Sequence, residues 1–230
     1  MRMADRSGDD SMLNSEFDFL ERSADDAAIG LLGCVLSSGL HGDRVSVRIV
    51  ETEAYDQDDP ASHAFHGISN RNRALFGRAG CTYIYVSHGI YHCCNITAGA
   101  EGFGAGALLR AVEPIEGIEA LRSRRDKRSV ELTNGPAKLC QALGIDMRLY
   151  GHHLEEAPLI LQYAPLRPGE RILRTPRIGI SKAADRLRRF VIEGNLYVSK
   201  ASPAIRSKAE PVQSRGGVGG QGVPDHARVC

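Results

Sequence analysis

A chain of 230 residues, 42% hydrophobic and 25% charged, can bury a sizeable core and requires no more than one domain. Its longest near-apolar run, Ala27 to Leu36, is too short and glycine-broken to span a bilayer, and the polar, acidic start resembles no secretory signal, so a cytoplasmic chain without a membrane partner is expected. The formal net charge of +1 hides an asymmetry: residues 1–26 hold eight acids and three bases, leaving 26 bases and 20 acids in the other 204 residues. That excess is compatible with a polyanion partner.

Taken in chain order, residues 1–14 read as a disordered extension. Ser23 followed by Asp25 and Asp26 is an N-cap with acids in the first turn, predicting a helix that closes near Gly33. Strands are expected around 34–38 and 43–55. The run "CTYIYVSHGIYHCCNIT" holds two alternating segments meeting at Ser87-His88-Gly89, which predicts a β-hairpin. The glycine-rich "AGAEGFGAGA" turns into a strand, "ALLRAVE", with Leu108 and Arg110 on one face. Pro114 sits where a first helical turn would begin, predicting an amphipathic helix with Ile115, Ile118 and Leu121 inward. In "RSRRDKRS" (122–129), five of eight positions are basic, a polyanion contact or simply a solvated loop. A short helix opens at Pro136 and stops at Gly144, and a strand–turn–strand region runs from about Ile172 to Ser199. From Ala201 onward the composition is that of a flexible glycine-rich tail. The expectation is one α+β domain over 15–200: a mixed, mostly antiparallel sheet with flanking helices.

The chemistry concentrates in "RVSVRIVETEAYDQDDPASHAF" (44–65). Val45, Val47 and Ile49 alternate as on a half-buried strand, and the same register carries Glu51, Glu53 and Tyr55 to the apolar side. A buried carboxylate is unfavourable unless paired or used. Glu53 is therefore either a general base or a structural carboxylate paired with Arg110. His63, His66, His88 and His92 could make a metal site with a carboxylate, although their spacing fits no standard zinc pattern. Tyr55, His63 and Tyr85 are either core residues or the walls of a cleft for a flat, electron-poor ring. Arg71, Arg73 and Arg78 in one loop, and Lys138 near a helix start, are candidate phosphate contacts. The six cysteines form no CxxC pair, which suggests reduced thiols, with Cys93–Cys94 read as packing.

Read in order, "RIVETEAY", "PASHAF", "NRNRALFG", "YIYVSHGIYHCCNIT", "LLRAVEPIEG", "NGPAKLCQALGI" and "TPRIGISKAAD" closely resemble the methylpurine (3-methyladenine) DNA glycosylases of the monofunctional alkyladenine type. The resemblance covers about Phe17 to Ser199. It implies a monomeric bacterial base-excision repair enzyme, nucleoid-associated and without cofactor or metal, whose partner is double-stranded DNA containing alkylated purines. By this resemblance Glu53 activates the attacking water and Arg110 organises that carboxylate. Tyr55, His63, Tyr85, Asn95 and Leu108 hold the flipped base, with Asn95 disfavouring the amino group of guanine. Arg71, Arg73 and Lys138 contact DNA, and the hairpin wedges into the minor groove. The tip is a departure: His88 stands where the family usually has tyrosine, so Ile90 and Tyr91 are expected to share the wedge. A second departure is "RLRRF" (186–190), where the family often carries an aromatic.

Overall fold

The computed structural model describes residues 15–213. After a 3-10 turn at Ser15–Glu21, α1 (Ala24–Gly30) opens as expected, with the Ser23 hydroxyl accepting from the Asp26 amide. Two strands follow, β1 (Val35–Ser38) and the long β2 (Val45–Asp56). Then come β3 (Thr82–Ser87), β4 (Tyr91–Thr97) and β5 (Ala105–Glu116). α2 (Ile118–Arg124) and α3 (Pro136–Leu143) lead to β6 (Leu159–Gln162), β7 (Ile172–Thr175) and β8 (Arg189–Ile192). A single turn, α4 (Pro203–Arg206), and a two-residue strand, β9 (Glu210–Pro211), end the described chain. The sheet order is β3-β4-β5-β2-β8-β7-β9, and every pairing among the described residues is antiparallel. The α+β expectation stands at this level.

β2 organises the fold because one of its edges serves two neighbours. β1 pairs along Val45–Arg48 and β8 along Glu51–Glu53, while β5 covers the opposite edge. All ten residues from Val45 to Ala54 are buried, so the alternation did not mark a solvent face. The expected register also fails. Pairing with β5 slips between Ile49 and Glu51 and again before Thr52. Ile49 and Val50 both join the core, and the Thr52 hydroxyl donates to the Ala28 carbonyl of α1. The apolar positions thus pass from odd to even residues, and Glu51 and Glu53 are turned out of the apolar packing.

The helix expected from Pro114 is a further correction. Pro114 and Ile115 belong to the end of β5, where the strand leaves the buried interior, and α2 starts only after Gly117. Ile115 and Ile118 are exposed; Leu121 alone of the three is buried. A proline is as acceptable at a strand's frayed end as at a helix start. Within the segment expected as a tail from residue 201, Pro203–Arg206 form a helical turn and β9 pairs with β7; the rest of that segment beyond residue 213, like the extension expected over 1–14, lies outside the described residues. The hairpin and α3 lie where expected. Gly144 ends α3 with φ 73°, and Gly89 carries φ 74° in the hairpin turn. No helix is long and apolar enough to cross a membrane among the described residues.

Candidate active site

One transverse row of the sheet assembles the site. Tyr83 on β3 pairs with Asn95 on β4, Asn95 with Leu108 on β5, Leu108 with Glu53 on β2, and Glu53 with Arg189 on β8. A cavity of about 300 Å³ opens beside this row, lined by Tyr55, His63, Arg71, Tyr83, Tyr85, Asn95 and Leu108 among others. Gly106, opposite Tyr55 in the register, makes this approach possible: a Cβ there would lie 3.0 Å from both the Ile96 carbonyl oxygen and Leu75.

Glu53 has no exposed surface. Its Oε2 accepts from the Tyr55 hydroxyl at 2.8 Å and from Arg110 Nη1 at 3.3 Å, and its Oε1 accepts from the Ile178 amide at 2.8 Å. A carboxylate offers about four acceptor sites. Three donors leave one site free, and that capacity lies on Oε1. The pairing with Arg110 expected of a structural carboxylate is present, and it leaves Glu53 short of saturation. Burial works against the charge of Arg110, but Glu53 and then Glu51 outweigh it and hold the guanidinium more firmly protonated. Burial, reinforced by Glu53, pushes the Tyr55 phenol far above its usual range, so it donates and does not ionise.

The aromatic wall is fixed from behind. His63 Nδ1 lies 2.8 Å from the Tyr83 hydroxyl, and its ring meets Tyr85 at 4.5 Å, near perpendicular. Burial and then Arg71 depress the His63 pKa, favouring a neutral ring. Burial raises Tyr83 to about 12. The buried Asn72 clamps the loop, donating to the carbonyls of His63 (2.8 Å) and Gly67 (3.0 Å). Asn95, nearly buried, donates to the Tyr83 carbonyl at 3.1 Å, which sets its amide against the cavity.

The remaining expected residues are spread more widely. His88 reaches the cavity from the hairpin tip, where the Ile90 amide closes the turn on the Ser87 carbonyl. His88 itself has φ 51°, so positive φ at both central residues makes this the primed hairpin turn. Ile90 is 71% exposed and Tyr91 52%. Arg73 is exposed but does not line the cavity, and Lys138 donates to Asn134 at 2.6 Å, also away from the lining. The histidines do not assemble a metal centre: His88 Nδ1 meets Ser87 Oγ at 2.9 Å, and no group of three His, Cys, Asp or Glu side chains is placed to hold a metal ion among the described residues. The basic run follows β5 away from the cavity and is largely tied internally, Arg122 to Glu119 and Arg125 to Gln141. Cys34, Cys81, Cys93, Cys94 and Cys140 are free thiols, with Cys93 and Cys94 buried.

Sequence reasoning missed the arginines that stand behind the site. Arg189 and the Ser199 amide and hydroxyl hold Glu51, while the buried Arg177 pairs with the buried Asp59 and stacks over Tyr55. These partners lie 118 to 148 positions apart, beyond any local pattern.

Comparison with known proteins agrees with this geometry. The family model described as methylpurine-DNA glycosylase (MPG) matches residues 18–196. A protein of Methanoculleus marisnigri is 43% identical over 189 residues, covering 79% of this chain and 96% of its own length. One of Carboxydothermus hydrogenoformans is 42% identical over 173 residues (74% and 90%), and one of Agrobacterium fabrum 43% over 183 residues (79% and 90%). All three carry the name "Putative 3-methyladenine DNA glycosylase". With its site row and flanking cavity inside the matched segment, the chain belongs to the methylpurine-DNA glycosylase family and is a DNA glycosylase.

Proposed function

We propose that this enzyme extrudes alkylated purines, 3-methyladenine among them, from duplex DNA and hydrolyses the N-glycosidic bond with a water activated by Glu53. The observation that carries the reading is the unsaturated Oε1 of a fully buried carboxylate beside an aromatic cavity. A base inside a duplex must leave the stack before reaction, and damaged bases are the easiest to extrude. In the cavity it stacks against Tyr55, His63 and Tyr85, with Leu108 as floor and the fixed Asn95 amide excluding the amino group of guanine. The water held on Oε1 loses its proton to Glu53 and attacks C1′. Arg110 keeps the carboxylate oriented. Alkylation leaves the purine cationic and ready to depart, so a base and a placed water suffice. No lysine lines the cavity, so no amine is at hand to form a Schiff base, and the product is an abasic site in an uncut strand.

His88, Ile90 and Tyr91 fill the gap left by the extruded nucleotide, an apolar wedge of the kind that unstacks base steps. Arg71, at the cavity mouth, and Arg73 lie beside the flanking phosphates; Lys138 is a peripheral contact. The enzyme works as a monomer. The test is incubation with methylated duplex in EDTA. Free 3-methyladenine, with strands breaking only after alkali, is the expected result. Tight binding to the lesion duplex without release would make the protein a binder and overturn the proposal.

A further inference from the structure

Three of the segments that wall the cavity are the end of β2 at Tyr55, the loop carrying Ala61 to His63, and the loop carrying Gly179 and Ile180. One buried ion pair ties all three together. Arg177, 2% exposed, grips the fully buried Asp59 with both Nη atoms. The same guanidinium donates to the Ala54 carbonyl at 3.0 Å and to the Ala183 carbonyl at 3.4 Å. Its Cζ lies 4.5 Å from the centroid of the Tyr55 ring, backing the ring that faces the cavity. Asp59 in turn accepts from the Ala61 amide at 3.0 Å, at the start of the loop that leads to His63.

Two of the three donors that orient Glu53 hang on this pair. Tyr55, whose hydroxyl holds Oε2, is stacked on Arg177; Ile178, whose amide holds Oε1, is the next residue in the chain. Charge balance alone does not explain the arrangement, since Arg188 also reaches Asp59, at 3.2 Å. What Arg177 alone supplies is the flat cation behind Tyr55 and the side-chain bond to the Ala54 carbonyl, since Arg188 also ties Asp59 to β2, through Asp56. We infer that Asp59 and Arg177 are positioning residues for the hydrolytic step, aligning Glu53 through Tyr55 and the Ile178 amide. The inference rests on the reading of Glu53 as the base.

The test separates alignment from folding. Arg177→Gln is compared with Arg177→Lys and with the double variant Asp59→Asn/Arg177→Gln, which removes both buried charges and so avoids leaving one unpaired. Each is assayed for single-turnover release of 3-methyladenine and for affinity towards a duplex carrying a tetrahydrofuran abasic analogue. Misplaced catalytic groups slow chemistry far more than binding, so release should fall about 100-fold in Arg177→Gln and in the double variant, with affinity changed by less than about threefold. Arg177→Lys, which keeps a cation behind Tyr55, should recover roughly tenfold of that loss. A double variant that melts like the wild type and releases base at the wild-type rate overturns the inference, as does a rate loss matched by an equal loss of affinity. Wild-type release, abolished by Glu53→Gln, reports on the proposed function separately: no release by the wild type overturns that reading, whereas undiminished Arg177 variants overturn this one alone.

Discussion

The surroundings of Glu51 and Glu53 make a natural experiment. The two carboxylates stand two residues apart on β2, both without exposed surface, and Arg110 touches both. Around Glu51 four donors converge: Arg110 Nε at 3.0 Å, Arg189 Nε at 2.7 Å and the Ser199 hydroxyl at 2.7 Å on Oε1, and the Ser199 amide at 2.6 Å on Oε2. Around Glu53 there are three donors and a cavity alongside. Burial and sequence position are thus nearly shared; what differs is the number of donors, four against three, and the cavity beside Glu53. Arg110 links the two, held by Glu51 so that it can hold Glu53.

The contrast can be broken most sharply at Glu53. Glu53→Gln should slow single-turnover base release by roughly 1,000-fold, the scale of a lost general base, while lesion affinity is kept. Glu51→Gln should do the reverse. It leaves Arg110 and Arg189 short of a buried counter-charge, and chemical denaturation should show a loss of about 3–5 kcal/mol in stability. If the two variants exchanged these effects, the roles would be exchanged too. Tyr55→Phe keeps the ring over Arg177 but deletes one donor to Glu53, and release should slow roughly tenfold, the scale of one hydrogen bond to a charged group.

The smallest effect is one of pH. Burial, and then Arg71, hold the His63 pKa below its ordinary value. In mild acid the unfolded chain therefore binds a proton that the folded one refuses. The contribution of neutral His63 is whole above the unfolded value of about 6.5 and is lost progressively below it. The melting temperature should fall as the pH drops below about 6.5, and His63→Gln should flatten that slope. Asp59 does not interfere in this window. Burial pushes its carboxyl up, but Arg177 and the Ala61 amide outweigh it and hold the net shift downward, so its stabilisation disappears only in stronger acid.

Much of this was legible from local signals. The hairpin has its alternation and turn, α3 its proline and glycine, α1 its serine cap, and each lies where those residues put it. The ordered motifs carried the family, and with it Glu53, Arg110 and the aromatic wall. Two failures have physical causes. The register slip at Val50 inserts a residue without any compositional mark, so the period-2 pattern of Val45–Ile49 was carried through a point where the strand changes faces. Pro114 carried a helix-start signal that the extended β5 overrode. The arginine–carboxylate pairs behind the site were illegible for a different reason: Arg177 and Asp59 meet only because β2 and the 176–183 loop are brought together by the whole sheet. No window of sequence contains both.

The transverse row from Tyr83 through Asn95, Leu108 and Glu53 to Arg189 crosses five strands, from the edge strand β3 inward, and Glu53 lies on β2 in the interior of the sheet. Amides in such a position exchange with solvent only when the cooperative unit opens as a whole, unlike those of lids and frayed ends. The Glu53 carboxylate, proposed as the base, therefore belongs to the part of the molecule that yields last. Glu53 itself is disarmed last, and any earlier loss of activity would begin at the loop carrying Ile178, outside the sheet.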